Sequence, residues 1–257
     1  TLLFFATTAE ASHSWGGYHW ARTANPFTLK LGDNVTVAWD AYLSAASADW
    51  SADPGTLYPG SGVAKVLGIA IVSGTAGKNC KATPGMVQVC NNRYGKNGWL
   101  GIAQIWISGN HITAGTVKMN DTYFNTATYN KPSWRRMVVC QEIGHTFGLD
   151  HQDEAFNNTN LGTCMDYTND PARDDSLGDN LNPNLHDYEE LAAIYAHTDS
   201  FNTYSTLASL TGKARGNAVA DAVQDGDFEN ASEWGQSTGR DIRGKDNKFE
   251  RDLGNGN

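Results

Sequence analysis

The stretch Gln141–His151, QEIGHTFGLDH, constrains this chain more than any other part of it. Residues four apart on an α-helix lie one turn apart on the same face, so Gln141 and His145 point the same way, with Glu142 beside them. Gly148 can take a left-handed backbone without steric cost, so it can end the helix and turn the chain. That turn brings His151 back toward His145, whereas on a continuing helix it would face elsewhere. Two imidazoles converging beside a carboxylate make the donor set of a catalytic metal site. Such a site keeps one coordination position for water, and a carboxylate next to that water can act as general base.

With histidine at position 141 the stretch would read H-E-x-x-H-x-x-G-x-x-H. Downstream, residues 162–168 read GTCMDYT. On these two pieces the chain resembles the metzincin clan of zinc endopeptidases, over roughly residues 27–197. The strand pattern upstream is most similar to the matrixin branch, and the Met-x-Tyr form to the astacin and serralysin branches. The resemblance implies an α+β fold of zincin type: a twisted mixed β-sheet, an active-site helix and a C-terminal helix. It implies a secreted zinc endopeptidase acting on peptide or protein substrates. Gln141, His145 and His151 become the zinc ligands, Glu142 the general base, and Met165 the methionine turn beneath the metal. Tyr167 becomes an extra ligand or an oxyanion stabiliser.

Gln141 departs from the pattern. Its carbonyl oxygen is a poorer zinc donor than imidazole, though equally neutral. Three readings stay open: Gln141 is a ligand; Tyr167 or another group completes the shell; or the site is degenerate and the chain a binding module for peptide, glycan or protein. Cys140 has suitable chemistry for zinc but lies about 100° around the helix from Gln141, facing away.

The four cysteines, Cys80, Cys90, Cys140 and Cys164, allow three pairings, and the sequence does not choose among them. Cys80 and Cys90 bracket a short loop containing Pro84 and Gly85; that pairing would leave Cys140 to bridge Cys164, tying helix to methionine turn. The plain alternative is four reduced core thiols. Disulfides suit an extracellular protein. So do an apolar run at Leu2–Ala6 and the small-x-small pattern Ala9-Glu10-Ala11, read as a signal-peptide remnant over 1–11. Sequons stand at Asn34, Asn120, Asn157 and Asn230.

With 257 residues, 40% of them apolar, the chain can bury a full core. A net charge of −9 argues against nucleic acid as a partner. No run of apolar residues is long enough for a membrane span, and a monomer is expected. Residues 150–190 carry eleven Asp and Glu against one Arg, Arg173. Calcium binding and attraction of cationic substrates are the sharp readings of this segment, and a solvated acidic loop is the plain one; no EF-hand spacing occurs.

Three parts follow: residues 1–11, a catalytic domain over 12–198, and an extension over 199–257. Alternation predicts strand through Phe27–Asp40, bent or turned at Gly32–Asn34; Val63–Ser73 reads as a buried strand, and 100–108 and 111–120 as two more, joined at Gly109-Asn110. The resemblance to matrixins implies a strand before the helix that pairs with the extended peptide, and 100–108 is the candidate for it. Pro132-Ser133 opens the main helix with Ser133 as N-cap, and Trp134, Met137 and Val138 are expected in the core. Asn182-Pro183 opens a second helix. His13, His19, His111, His186 and His197 are read as packing or element-end residues. Beyond Gly212 the chain turns rich in Gly, Asn, Asp and Arg, and either a small β unit or a loosely packed tail is expected.

Overall fold

The computed structural model describes residues 13–204 and two further strands at 236–240 and 246–252. The apolar N-terminal run, the Ala9–Ala11 pattern, the Asn230 sequon and residues 205–212 lie outside the described residues.

A mixed sheet forms the frame. Strands β1 (His19–Trp20), β2 (Phe27–Asn34), β3 (Leu67–Ser73), β4 (Val87–Asn92), β5 (Gly101–Ser108) and β6 (His111–Asn120) are joined by β7 (Gln236–Arg240) and β8 (Asp246–Asp252). Their order is β3-β2-β4-β6-β5-β8-β7, with β1 against β6. β3, β2, β4 and β6 run parallel, while β5 folds back antiparallel on β6 through the turn at Gly109. β8 lies parallel to the far end of β5, at Trp106 and Ile107, and pairs antiparallel with β7.

Parallel neighbours need a crossover, and α1 (Val37–Trp50) supplies it between β2 and β3. This corrects the expectation of strand through Asp40. The alternation Val35, Val37, Trp39 is fortuitous, because Val37 is 86% exposed. The buried set is instead Trp39, Leu43, Ala46, Ser47 and Trp50, a helical stripe. Strand β4 lies outside the strands that the sequence pattern predicts. Residues 67–73 do form a strand, but it is the outer parallel strand and half-buried rather than fully buried.

α4 (Pro132–His145) packs against α1 and against β5 and β6 of the sheet. Pro132 occupies its first turn, where the missing N–H costs nothing. The N-cap is Lys131, not Ser133. Trp50 meets Phe147 edge-on at 5.7 Å, and the Arg135 guanidinium stacks over Trp39 at 4.4 Å, which lets a cation lie in the core. α5 (Leu185–Ile194) begins one residue beyond the Asn184 N-cap, closed by a capping box with Asp187. Residues 199–204 fold back on the chain's beginning: Asp199 N–H donates to Arg22 O, and Thr203 N–H to Ala21 O.

Both disulfides of the short-loop pairing are formed, Cys80–Cys90 and Cys140–Cys164. The Asn120 sequon is fully buried, its side chain engaged with Tyr94 N, Thr122 N and Gly95 O. In the folded chain it is closed to modification.

Candidate active site

α4 ends where the sequence places its turn. Gly148 has φ +95°, and a Cβ there would stand 1.9 Å from Tyr18 O. The residue must therefore be glycine for both conformation and space. The turn is clamped by the N-terminal segment: Trp15 N–H donates to Gly148 O at 2.7 Å, and Asp150 N–H to His13 O at 2.5 Å.

The turn delivers His151 to His145. Their Nε2 atoms are 3.0 Å apart. His145 Nδ1 lies 2.8 Å from Leu149 O, an acceptor only, so Nδ1 carries the proton and Nε2 offers a lone pair to the cleft. Asp150 and Glu154 carboxylates stand 3.6 and 3.5 Å from His151 Nδ1, favouring its proton there and a lone pair on Nε2 as well. Carboxylate or carbonyl partners behind each ring are the usual second layer of a metal site. Tetrahedral ligands at zinc distances sit about 3.3 Å from one another. The imidazole pair therefore fits such a cation.

Gln141 is buried, and its amide nitrogen donates to Cys164 O at 3.0 Å. A carbonyl only accepts, so the nitrogen is fixed there and the oxygen is the atom available to a ligand. Cys164 is the residue that Cys140 bridges, so the crosslink holds the carbonyl that orients Gln141. Cys140 itself is spent in the disulfide.

Glu142 is packed against Gly101 of β5, where a Cβ would come within 2.7 Å of its Oε1. The backbone N–H of Ala103 hydrogen-bonds its carboxylate, but burial outweighs that bond and pushes the group up to about 8. Met165 lies directly under α4, its Sδ 2.6 Å from where a Gly144 Cβ would be. The Tyr167 ring is 4.2 Å from the His151 ring and stacks on Phe156.

These groups line one cleft of about 320 Å³, between Gly101–Ala103 of β5 and the α4 face. Gln141, Glu142, His145, His151 and Tyr167 all border it, whereas Met165 sits below as support. Trp134, Met137 and Val138, expected only in the core, also form its wall. Sequence reasoning missed Trp15, which meets His145 edge-on at 5.9 Å, and Asp150 and Glu154 behind His151. The signal for the last two was their position directly flanking the histidine.

Much of the acidic segment is engaged in holding its own loop. Asp153 accepts from Asn158, Asp166 from Leu161 N–H and Asn180, and Asp175 from Asn160 N–H and Arg173. Among the described residues, no helix is long and apolar enough to cross a membrane.

No protein-family model and no curated protein matches the chain. Among solved structures, one of myroilysin is similar at 13% identity and a TM-score of 0.38, over 69% of this chain and 83% of that one. A second myroilysin crystal structure is similar at 11% identity and a TM-score of 0.34, over 77% of this chain and 100% of that one. Likeness this slight says nothing of the chain's own chemistry, which rests on the residues gathered in the cleft.

Proposed function

We propose that the chain is a secreted zinc-dependent endopeptidase. The observation that carries the reading is the convergence of His145 Nε2 and His151 Nε2 at 3.0 Å, in a cleft shared with Glu142 and the first residues of β5. The ligands would be His145, His151 and the Gln141 oxygen. Zinc bound there would acidify a water and polarise the scissile carbonyl. A cation held by these ligands would favour the ionised carboxylate and bring Glu142 down from about 8, so that Glu142 takes the proton of the attacking water and passes it to the leaving amine. The start of β5 binds the peptide by strand pairing, which fixes the scissile bond beside Glu142. The Tyr167 hydroxyl stabilises the oxyanion. The two disulfides suit an oxidising, extracellular location.

The test is elemental analysis of the purified protein together with cleavage of an unfolded protein substrate. Zinc and chelator-sensitive cleavage are expected. Glu142→Ala should lose at least about a hundredfold in rate while keeping its zinc. Absence of both zinc and chelator-sensitive cleavage sinks the proposal.

A second reading is a binding module on the same fold. It is favoured by Gln141, whose donor is an amide oxygen rather than an imidazole. Gln141→His separates the two. If the natural chain is inert and the variant gains zinc and activity, the module reading stands; if an active natural chain is little altered, it falls.

A further inference from the structure

Far from the cleft in sequence, three more histidines and an aspartate meet. The parallel register of β1 on β6 sets His19 opposite His111. The chain leaving α5 brings His197 and Asp199 onto the same spot. His19 Nε2 lies 3.1 Å from His197 Nε2, and His111 Nε2 lies 3.1 Å from Asp199 Oδ1. His197 Nε2 is 3.8 Å from Asp199 Oδ1, and His19 Nε2 is 3.8 Å from Asp199 Oδ2. Ligand atoms of His19, His111 and Asp199 all fall within 4.8 Å of one another. These separations bracket the roughly 3.3 Å between donors around a tetrahedral zinc ion.

The groups behind the donors are also in place. His19 Nδ1 lies 3.0 Å from Gly17 O, which fixes the proton on Nδ1 and leaves Nε2 as a lone pair. Asp199 is anchored through Oδ2 by the N–H of Arg22 at 3.1 Å and by its guanidinium at 3.0 Å, which aims Oδ1 at His111. The same signature, a carbonyl behind one ring and a close Nε2 pair in front, marks His145 and His151 in the cleft. An N3O donor set with no place reserved for water is that of a structural zinc site.

We propose that His19, His111, His197 and Asp199 bind a second, structural divalent cation of the zinc class. It ties the N-terminal segment, the start of β6 and the exit of α5 together. This site does not depend on the cleft holding metal.

The experiment uses the full chain carrying His145→Ala, which removes one imidazole of the cleft. Zinc content after dialysis and the melting temperature with and without added zinc are both measured. One zinc equivalent and a zinc-dependent rise in melting temperature are expected. Both should disappear when His111→Ala or His197→Gln is added. The His197 side chain is 51% exposed, so its replacement reads ligation even if the His111 variant fails to fold. If the His145→Ala chain binds no zinc, or if it binds one equivalent whether or not His197 is replaced, the site is overturned. Protease activity enters neither readout, so the endopeptidase reading stands or falls separately.

Discussion

Gly148→Ala tests whether the turn after α4 sets the candidate site. Two costs are legible at that residue. A non-glycine side chain at φ +95° carries about 1–3 kcal/mol of backbone strain. The new Cβ would also lie 1.9 Å from Tyr18 O, against an ordinary C···O contact of about 3.4 Å. Backbone cannot rotate away as a flexible side chain can, so relief means shifting the N-terminal segment, at about 1–3 kcal/mol. Together they give about 4 kcal/mol, or a melting temperature lower by about 8–16 °C for a domain of this size. Gly60→Ala is the control, because Gly60 has φ +90° with nothing within 4 Å of its Cβ position. It should lose only the strain. Displacing residue 148 also moves Leu149 O, which holds the His145 ring, so zinc affinity should fall at least about tenfold in Gly148→Ala and not in Gly60→Ala. Urea unfolding and zinc titration of both variants measure this. Equal stability losses with unchanged zinc affinity would refute the argument.

Replacing Cys140 and Cys164 by Ala should cost about 3.5 kcal/mol from the 24-residue separation, and replacing Cys80 and Cys90 about 2.7 kcal/mol from a separation of 10; urea unfolding giving the reverse order would contradict the loop-entropy account. Gly101→Ala should push the Glu142 carboxylate aside and lower proteolysis toward the level of Glu142→Ala with zinc retained, so full activity in that variant would show that Glu142 is not held by β5. His13, buried beside His186, has its pKa lowered from 6.5 to about 4, chiefly by burial. Its unfolded form therefore binds the proton first, and the fold loses up to about 3 kcal/mol as the pH falls from about 6.5 to 4. Asp187, pushed up to about 6 by burial, acts with the opposite sign, so the comparison of wild type with His13→Gln isolates the imidazole. Ring-nitrogen NMR showing His13 titrating near 6.5 would refute the assignment.

The features legible in the sequence were local ones. The span of α4, the reversal at Gly148 and the β5–β6 hairpin at Gly109 each follow from spacing within about a dozen residues. Glycine positions and helical periodicity encode these directly. Residues 35–50 show a local signal misread. A short run of alternating apolar residues outweighed the longer stripe Trp39, Leu43, Ala46, Trp50, although the crossover required by parallel strands needed that helix. The cluster of His19, His111, His197 and Asp199 had no local signal at all. Its members are up to 180 positions apart, and only the pairing of β1 with β6 and the fold-back after α5 bring them together. Asp150 and Glu154 fell between these cases, since they flank His151 in sequence but act on it only once the turn has formed.

The clamp of Trp15 on Gly148 and of His13 on Asp150 also sets an order of events during synthesis. The segment that steadies the turn emerges first, while the motif it steadies emerges about 130 residues later, and contacts at such separation form slowly. The underlying Met165 and the α5 exit that packs on the chain's beginning come later still. A nascent or clipped chain can thus carry QEIGHTFGLDH complete and still lack the geometry that makes it a site. The geometry of the site is complete only once the N-terminal clamp, the turn and Met165 have come together.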